Sequence, residues 1–185
     1  MNVYLDTSSE DFVLVLFNQE FQVLDFILLE GYKKKVELIT NEFAKILQRN
    51  NLQIKDLTGL YTNIGPGFFT GVRSSLVFFR TLALLNKIDL YITTTLDILH
   101  LQHSDKVLFT DAQGHKLYQY NFEQFNGSNY KNVISVVDKT NQEVVGINFK
   151  SMIQNFTQYK DLFIFKEPMN IEVLYIKQPQ IGGTK

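Results

Sequence analysis

The sequence predicts an α/β protein of two lobes, each built from a mixed β-sheet with helices packed against it. Short apolar runs alternate with segments of helical period in the first half of the chain. The opening pattern of a strand, a turn with aspartate and another strand returns near residue 107. A chain of 185 residues, of which 45% are hydrophobic and 20% charged, is long and apolar enough to bury such a core.

The first half of the chain contains apolar runs of strand length and segments of helical period. The strands are predicted at residues 3–5, 12–17, 21–29, 57–63 and 90–93. The helices are predicted at residues 33–50, 70–86 and 94–102. This part begins in the order β-β-β-α-β-α and forms the first lobe, residues 1–104.

The second half, residues 105–185, begins in the same way but is predicted to be a reduced lobe. Its strands are predicted at residues 107–110, 117–122, 133–137, 144–147 and 162–165. Only one helix is predicted there, at residues 149–159. Because both halves open with a strand, a turn containing aspartate and a strand, we interpret them as a degenerate duplication of the actin and sugar-kinase (ASKHA) type.

Two aspartate turns are candidate phosphate-binding elements. They are Asp6-Thr7-Ser8 and Asp111-Ala112-Gln113-Gly114. In actin-like ATPases such turns face each other across a cleft, where backbone N–H groups and a carboxylate hold phosphates and Mg²⁺. The same residue types are also ordinary in turns. The late glycine pair Gly182-Gly183, where an adenine pocket would need a following helix, precedes only two residues. We therefore expect a vestigial cleft of Asp6, Thr7, Ser8 and Asp111, and no cofactor.

The run from Gly65 to Arg73 is the most distinctive segment of the chain. Its three glycines and one proline allow a tight turn between a strand and a helix, and Thr70 can cap that helix. The helix N-terminus would favour a phosphate. However, the spacing matches neither G-x-x-x-x-G-K-S/T nor G-x-G-x-x-G. A structural turn is therefore the preferred interpretation.

The sequence predicts neither a catalytic residue nor a metal site. His100 and His103 share a helix face with Asp97, but no further ligand at helical spacing completes the set. The chain contains no cysteine, no H-E-x-x-H motif and no G-x-S-x-G motif. Thiol nucleophiles, zinc peptidases of that type and serine hydrolases with that elbow are thereby excluded or unsupported.

Charge and composition favour a cytoplasmic protein that does not itself hold nucleic acid strongly. The formal net charge is −1, so the protein has no global basic field. The absence of cysteine suits a reducing compartment. The N-terminus lacks the features of a signal peptide, and no apolar run approaches the ~20 residues of a membrane span.

The second helix is apolar nearly all round, which predicts a partner. One stripe, formed by Val72, Leu76, Phe79 and Ala83, is suited to packing on the sheet. The opposite side and two residues of the first helix form the expected interface, which comprises Phe43, Leu47, Val77, Phe78, Thr81, Leu84 and Leu85. The alternative is that the second lobe or its linker folds over this side.

These features together resemble the TsaB (YeaZ) family, whose signature loop reads GPGSFTGLR. The matching loop residues are Gly65, Pro66, Gly67, Phe69, Thr70, Gly71 and Arg73. Further matches lie in the segments 3–8, 109–112, 117–118 and 174–177. The chain departs from the family at Phe68, where serine is usual, and at Lys35-Val36-Glu37, where His-Ser-Glu is usual.

The resemblance implies a non-catalytic subunit of the bacterial machinery that makes threonylcarbamoyladenosine (t6A) in tRNA. Such a subunit pairs with a TsaD-like transferase through its first two helices, and a small TsaE-like ATPase docks on the pair. A homodimer would form when the chain is alone, and tRNA would be met only through the complex. The transferase paralogue has a metal site of two helical histidines, whereas this chain has no histidine between Leu5 and Leu99.

The alternative function is a small actin-like ATPase or a phosphotransferase of the sugar-kinase type that uses Asp6 and Asp111. If the cleft is vestigial, replacing either aspartate by asparagine should change stability only modestly.

Overall fold

The structure, a computed structural model, describes residues 1–32 and 35–177. Its strands are β1 (Asn2–Asp6), β2 (Phe12–Phe17), β3 (Val23–Leu29), β4 (Gly59–Asn63), β5 (Asp89–Thr93), β6 (Val107–Asp111), β7 (Lys116–Asn121), β8 (Ile134–Asp138) and β9 (Ile164–Phe165). Its α-helices are α1 (Lys35–Arg49), α2 (Phe69–Asn86), α3 (Thr95–Gln102), α4 (Tyr130–Val133) and α5 (Phe149–Gln154). No helix in these ranges is long and apolar enough to cross a membrane.

A six-stranded mixed sheet forms the centre of the first lobe, in the order β3-β2-β1-β4-β5-β9. Strands β1, β4 and β5 are parallel neighbours, while β2 with β3 at one edge and β9 at the other pair antiparallel. Both β1 and β2 are buried along their whole length. The continuous apolar run of β2 follows from this position, because both faces of the sheet are covered.

Helices α1 and α2 cover one face of this sheet. The predicted stripe of α2 is buried there against α1 and the strands, and its members are Val72, Leu76, Phe79 and Ala83. On the other face lie α3, α5 and a 3₁₀ turn at Phe156–Leu162. An aromatic cluster fills that side, with Phe17 and Phe156 at 4.9 Å and Tyr61 and Phe163 at 5.1 Å between ring centroids. The sheet is therefore the middle layer of the lobe.

The strands and helices predicted for the first half are all observed, with their ends displaced by one or two residues. Residues 33 and 34 of the predicted first helix lie outside the described residues. These elements were predictable because the spacing of apolar residues along each segment reflects its burial. The helices bury one side, whereas the central strands are buried on both faces.

Three of the elements predicted for the second half differ in the structure, and the short helix α4 was not predicted. Residues 144–147 form no strand, although the amide of Val145 donates to the carbonyl of Phe109 at 2.8 Å. The predicted helix at 149–159 is divided at Asn155 into α5 and the 3₁₀ turn. The strand predicted at 162–165 is only the two-residue β9, and it pairs with β5 of the first sheet. The boundary predicted after residue 104 therefore does not separate the two sheets completely, because pairing partners are chosen by tertiary contacts.

The edge strand β3 is tied to the end of α1 by a charged cluster. The guanidinium of Arg49 donates from Nη2 to Asp25 Oδ1 at 2.6 Å and from Nε to Asp25 Oδ2. The side-chain amide of Asn50 donates from Nδ2 to Asp25 Oδ2 at 2.5 Å. Partial burial alone would raise the pKa of Asp25, but the hydrogen bonds from Arg49 and Asn50 and the charge of Arg49 hold it below its usual value.

This cluster predicts a specific pH dependence of stability. A carboxyl whose folded-state pKa is lowered stabilises the fold above its unfolded pKa of about 4, and this stabilisation is lost as the pH falls through the folded pKa. Asp25→Asn should therefore flatten the acid limb and cost roughly 0.5–1 kcal/mol at pH 7. Urea unfolding from pH 2 to pH 7 measures this, with Asp138→Asn, from the exposed Lys116–Asp138 pair, as the control. Identical acid limbs for Asp25→Asn and the parent chain would contradict the prediction.

Candidate functional site

The glycine loop, residues 65–73, connects β4 to α2 and is held by backbone hydrogen bonds from distant segments. The Gly65 carbonyl accepts from the Thr95 amide at 2.9 Å, and Gly65 itself has a φ of 97°, which favours glycine. The Gly65–Pro66 peptide bond is cis. The predicted cap by Thr70 is wrong, because α2 begins one residue earlier, at Phe69, with Phe68 in the N-cap position.

The loop is pressed onto the turn that follows β1. The amide of Phe68 donates to the Ser8 carbonyl at 2.6 Å, and the Thr7 hydroxyl donates to the Gly71 carbonyl at 2.8 Å. A Cβ atom on Gly67 would lie 2.3 Å from the Ser8 carbonyl oxygen and 2.8 Å from the Ser8 Cβ. The glycine at position 67 is therefore required by the close approach of the two backbones.

The Asp6 carboxylate lies in the interior and is enclosed by donors from its own lobe. Its Oδ2 accepts from the Tyr4 hydroxyl at 2.6 Å and from Asn63 Nδ2 at 3.0 Å, and its Oδ1 accepts from the Ser8 amide at 2.7 Å. Asp6 is 1% exposed. Burial, together with the charge of Asp6, raises the pKa of the Tyr4 hydroxyl well above its usual value. The carboxylate therefore joins the β1 turn to the end of β4, from which the glycine loop starts.

A cleft of about 330 Å³ lies between the two lobes. Of the four residues predicted to line it, Ser8 and Asp111 do so, whereas Asp6 and Thr7 are buried behind it. Asp111 is exposed, and its Oδ1 accepts from the Gln113 amide at 2.8 Å. Asp6 and Asp111 therefore do not face each other across the cleft as predicted, since only the Asp111 carboxylate reaches it.

The charged lining of this cleft is unfavourable for a phosphate. Besides Asp111 it contains Glu10 and Asp11, against the single ammonium group of Lys139. Sequence analysis did not identify Glu10, Asp11 or Lys139 as cleft residues. The position of Glu10 and Asp11 in the turn directly after Ser8 was a usable signal, whereas that of Lys139 depends on how the second sheet packs.

The lining of this cleft contains neither His100 nor His103, the two histidines considered as metal ligands. His100 stacks on Phe122 with ring centroids 4.8 Å apart. Within residues 1–32 and 35–177, no three His, Cys, Asp or Glu side chains are placed to hold a metal ion. The pair Gly182-Gly183 lies outside the described residues.

The outer face of α2 is an exposed apolar surface. Val77, Leu84 and Leu85 are 55%, 49% and 76% exposed, and Thr81 is exposed between them. Phe78 is partly buried against Phe43, with ring centroids 5.2 Å apart. We call Val77, Thr81, Leu84 and Leu85 the α2 face.

Two residues expected in the partner interface are not on the surface. Phe43 and Leu47 are 4% and 6% exposed and belong to the core between α1, α2 and the sheet. The helical period of α1 places its apolar stripe toward the sheet and α2, and its outer side is polar. The first helix therefore supports the α2 face from behind instead of contributing these side chains to it.

The segment after β9 runs along one side of α2 without covering the α2 face. The Arg80 guanidinium donates to the Ile171 carbonyl, and the Leu174 amide donates to the Ile64 carbonyl at 2.9 Å. The Tyr175 ring packs on Phe69 at 5.2 Å. Among the residues described, which end at 177, the second lobe therefore does not fold over the α2 face, contrary to the alternative considered from the sequence.

Because Asp6 is buried and Asp111 is exposed, the modest change expected of both aspartates from the sequence should hold only for Asp111 when each is replaced by asparagine. In Asp6→Asn the new NH₂ group would face donors, which should cost about 2–3 kcal/mol of unfolding free energy. In Asp111→Asn the side-chain oxygen can still accept from the Gln113 amide, so the change should stay within about 0.5 kcal/mol. Urea unfolding of both variants measures the difference. Equal stabilities would show that the buried network does not hold the β1 turn.

Comparisons with known proteins agree on a family and a fold. Residues 31–178 match the family model described as TsaD: tRNA N6-adenosine threonylcarbamoyltransferase. The structure is similar to YeaZ from Pseudomonas aeruginosa, with a TM-score of 0.59 and 19% identity over 77% of this chain and 70% of that chain. It is also similar to the crystal structure of an uncharacterized protein with similarity to peptidase YEAZ from Pseudomonas aeruginosa. In that comparison the TM-score is 0.64, and the sequences are 14% identical over 95% of this chain and 99% of that chain. No curated protein matches the chain.

Proposed function

The chain belongs to the TsaD family of tRNA N6-adenosine threonylcarbamoyltransferases, and we propose that it acts there as a non-catalytic subunit that pairs with a TsaD-like transferase. The predicted actin-like two-lobe fold is confirmed by the similarity to YeaZ structures. The chain is accordingly a protein of the t6A pathway. The proposal concerns its role within that pathway.

The observation that carries the proposal is the α2 face. Three large apolar side chains lie exposed on one helix, at Val77, Leu84 and Leu85. A helix with apolar groups on both sides is normally covered on both sides. A transferase of the same family has the same type of fold, so it offers an equivalent helix that can pack against this one. A second copy of this chain can occupy the face when the transferase is absent.

The interlobe cleft supports the absence of independent catalysis. The Asp6 carboxylate is enclosed by Tyr4, Asn63 and the Ser8 amide, away from the cleft. The carboxylates of Glu10, Asp11 and Asp111 line the cleft with one lysine. In an actin-like ATPase a carboxylate and backbone amides hold the phosphates, whereas here one of the two predicted aspartates is buried and the cleft lining carries more negative than positive groups.

The remaining partners follow from the pairing. We assign ATP hydrolysis to a TsaE-like ATPase docked on the pair, and contact with tRNA to the assembled complex, because this chain carries a net charge of −1. We place the complex in the cytoplasm, where tRNA is modified.

Reconstitution with the TsaD-like transferase of the same organism tests the proposal. The two proteins should co-purify, and t6A formation on a tRNA that reads ANN codons should require both. Full activity of the transferase and ATPase without this chain would overturn the proposal.

Calorimetry of the isolated chain with Mg²⁺-ATP tests the alternative of an independent ATPase or phosphotransferase. The proposal expects no micromolar binding by the chain alone. Such binding, with turnover that is lost in Asp111→Asn, would favour the alternative.

A further inference from the structure

A second cavity, of about 230 Å³, lies at the edge of the first sheet and shares no residue with the interlobe cleft. It is formed at the carboxyl ends of β4 and β5, beside the first turn of α3, residues 127–130 and β9. Ligands of open α/β sheets bind at this end of parallel strands. The volume corresponds to about eight water molecules at liquid density, which suits a small metabolite.

The walls of this cavity are largely aliphatic. Ile64, Ile92, Leu162 and Leu174 contribute to them. Such walls bind an apolar group of matching size, and the polar groups between them decide its orientation.

Three polar side chains line the same cavity, and one of them, the Thr93 hydroxyl, lacks the hydrogen-bond partner that its burial requires. Thr93 is 2% exposed, and its hydroxyl has no hydrogen-bond partner in the part of the chain that the structure describes. The Asp97 carboxylate accepts only from neutral groups, the Thr94 hydroxyl at 2.6 Å, the Thr94 amide at 3.3 Å and the Tyr130 hydroxyl at 3.2 Å. Lys166 lines the cavity and is exposed toward solvent.

Neither charged group forms an ion pair among the residues that the structure describes. No cationic side chain lies within 4 Å of Asp97, and no carboxylate lies within 4 Å of Lys166, among residues 1–32 and 35–177. Burial raises the pKa of the Asp97 carboxyl, and the hydrogen bonds from Thr94 and Tyr130, with a smaller contribution from the charge of His100, offset this only in part. A ligand cation beside Asp97 would supply the missing opposite charge.

We propose that this cavity binds a small aliphatic α-amino acid, with its ammonium group on Asp97, its carboxylate on Lys166 and its side chain among the aliphatic walls. One acid and one base in a single small cavity match the two charges of a zwitterion. The Thr93 hydroxyl supplies a further hydrogen-bonding group at its wall. The site does not involve the α2 face, so its occupancy and the pairing with a transferase are separate properties.

Titration of the isolated full-length chain with L-leucine tests the proposal by calorimetry or NMR. Saturable binding in the millimolar range or tighter is expected. Two probes that each carry one charge, isoamylamine and 4-methylpentanoate, should bind about tenfold more weakly or worse, since each loses a charge-assisted contact. No saturable binding of leucine, or equal binding of all three probes, would overturn the proposal.

Matched variants locate the binding site. Asp97→Asn and Lys166→Met should each weaken leucine binding about tenfold or more. The surface variants Asp105→Asn and Lys55→Met should leave it unchanged, because both residues are exposed and outside the cavity. Asp97 also belongs to the capping box at the start of α3, so Asp97→Asn can impair folding. Lys166 is exposed, and Lys166→Met tests the site without disturbing this cap. Leucine binding that persists in Lys166→Met would overturn the proposed orientation.

Thr93→Val separates a ligand contact from a structural role. Valine has nearly the same shape and removes only the unpaired hydroxyl, so the folded state should be at least as stable as the parent. The proposal expects weaker leucine binding in this well-folded variant. Unchanged affinity would remove Thr93 from the site. Because no transferase is present in these assays, their failure would leave the proposed pairing untouched.

Discussion

Gly67→Ala should destabilise the protein by about 3 kcal/mol or more, although it adds only one methyl group. The added Cβ would lie 2.3 Å from the Ser8 carbonyl oxygen and 2.8 Å from the Ser8 Cβ. The nearest of these atoms belongs to the backbone, so it cannot rotate away. Relief would require the glycine loop to separate from the β1 turn. That separation would break the Phe68 amide to Ser8 carbonyl hydrogen bond.

Urea unfolding followed by circular dichroism measures this effect, and Gly146→Ala is the matched control. A Cβ on Gly146 meets no atom within 4 Å, and its φ is not in the left-handed region. The control should therefore be neutral or slightly stabilised, by up to about 1 kcal/mol. Similar stabilities of the two variants would mean that the loop is not held against Ser8.

Val77→Glu with Leu84→Glu should abolish pairing with the TsaD-like transferase while the monomer stays folded. Both side chains are about half exposed in the monomer, so charges at these positions remain hydrated. In a complex the two carboxylates would be buried without partners, which costs several kcal/mol. We expect the dissociation constant to rise by more than about a hundredfold.

Size-exclusion chromatography with light scattering and a binding titration measure the loss of pairing, with Leu101→Glu as the control. Leu101 is 45% exposed, but it lies on α3, away from the α2 face. The control should pair normally. An unchanged dissociation constant for the double variant would place the partner elsewhere, and an unfolded monomer would show that the α2 face belongs to the core.

The geometry explains why the signature loop has its particular composition. Gly65 needs a positive φ, and Gly67 needs space for the Ser8 backbone. The Gly71 carbonyl accepts a hydrogen bond from the Thr7 hydroxyl. Each of these requirements is structural, which agrees with interpreting the loop as a turn and not as a phosphate-binding element. A residue other than serine can stand at position 68, because the hydrogen bond to Ser8 is donated by the Phe68 backbone amide.

Sequence patterns were sufficient for the first lobe because its periodicities are local. The buried stripe of α2 was predicted from the spacing of Val72, Leu76, Phe79 and Ala83, and these four side chains are buried. Patterns were less informative for the second lobe. The segment 144–147 was predicted to be a strand, yet in the structure it is irregular and is joined to β6 by one backbone hydrogen bond, from the Val145 amide to the Phe109 carbonyl.

The order of the elements in the first lobe, the tight turn at residues 65–71 and the double-sided apolar character of α2 can be derived from the sequence. They depend on local spacing and on residue types with characteristic backbone preferences. The enclosure of Asp6 by Tyr4 and Asn63, the place of Phe43 in the core and the pairing of β9 with the first sheet become visible only in the folded chain. Burial, pairing and hydrogen bonding of these groups depend on residues that are distant in the chain, and no local pattern encodes which of them come together.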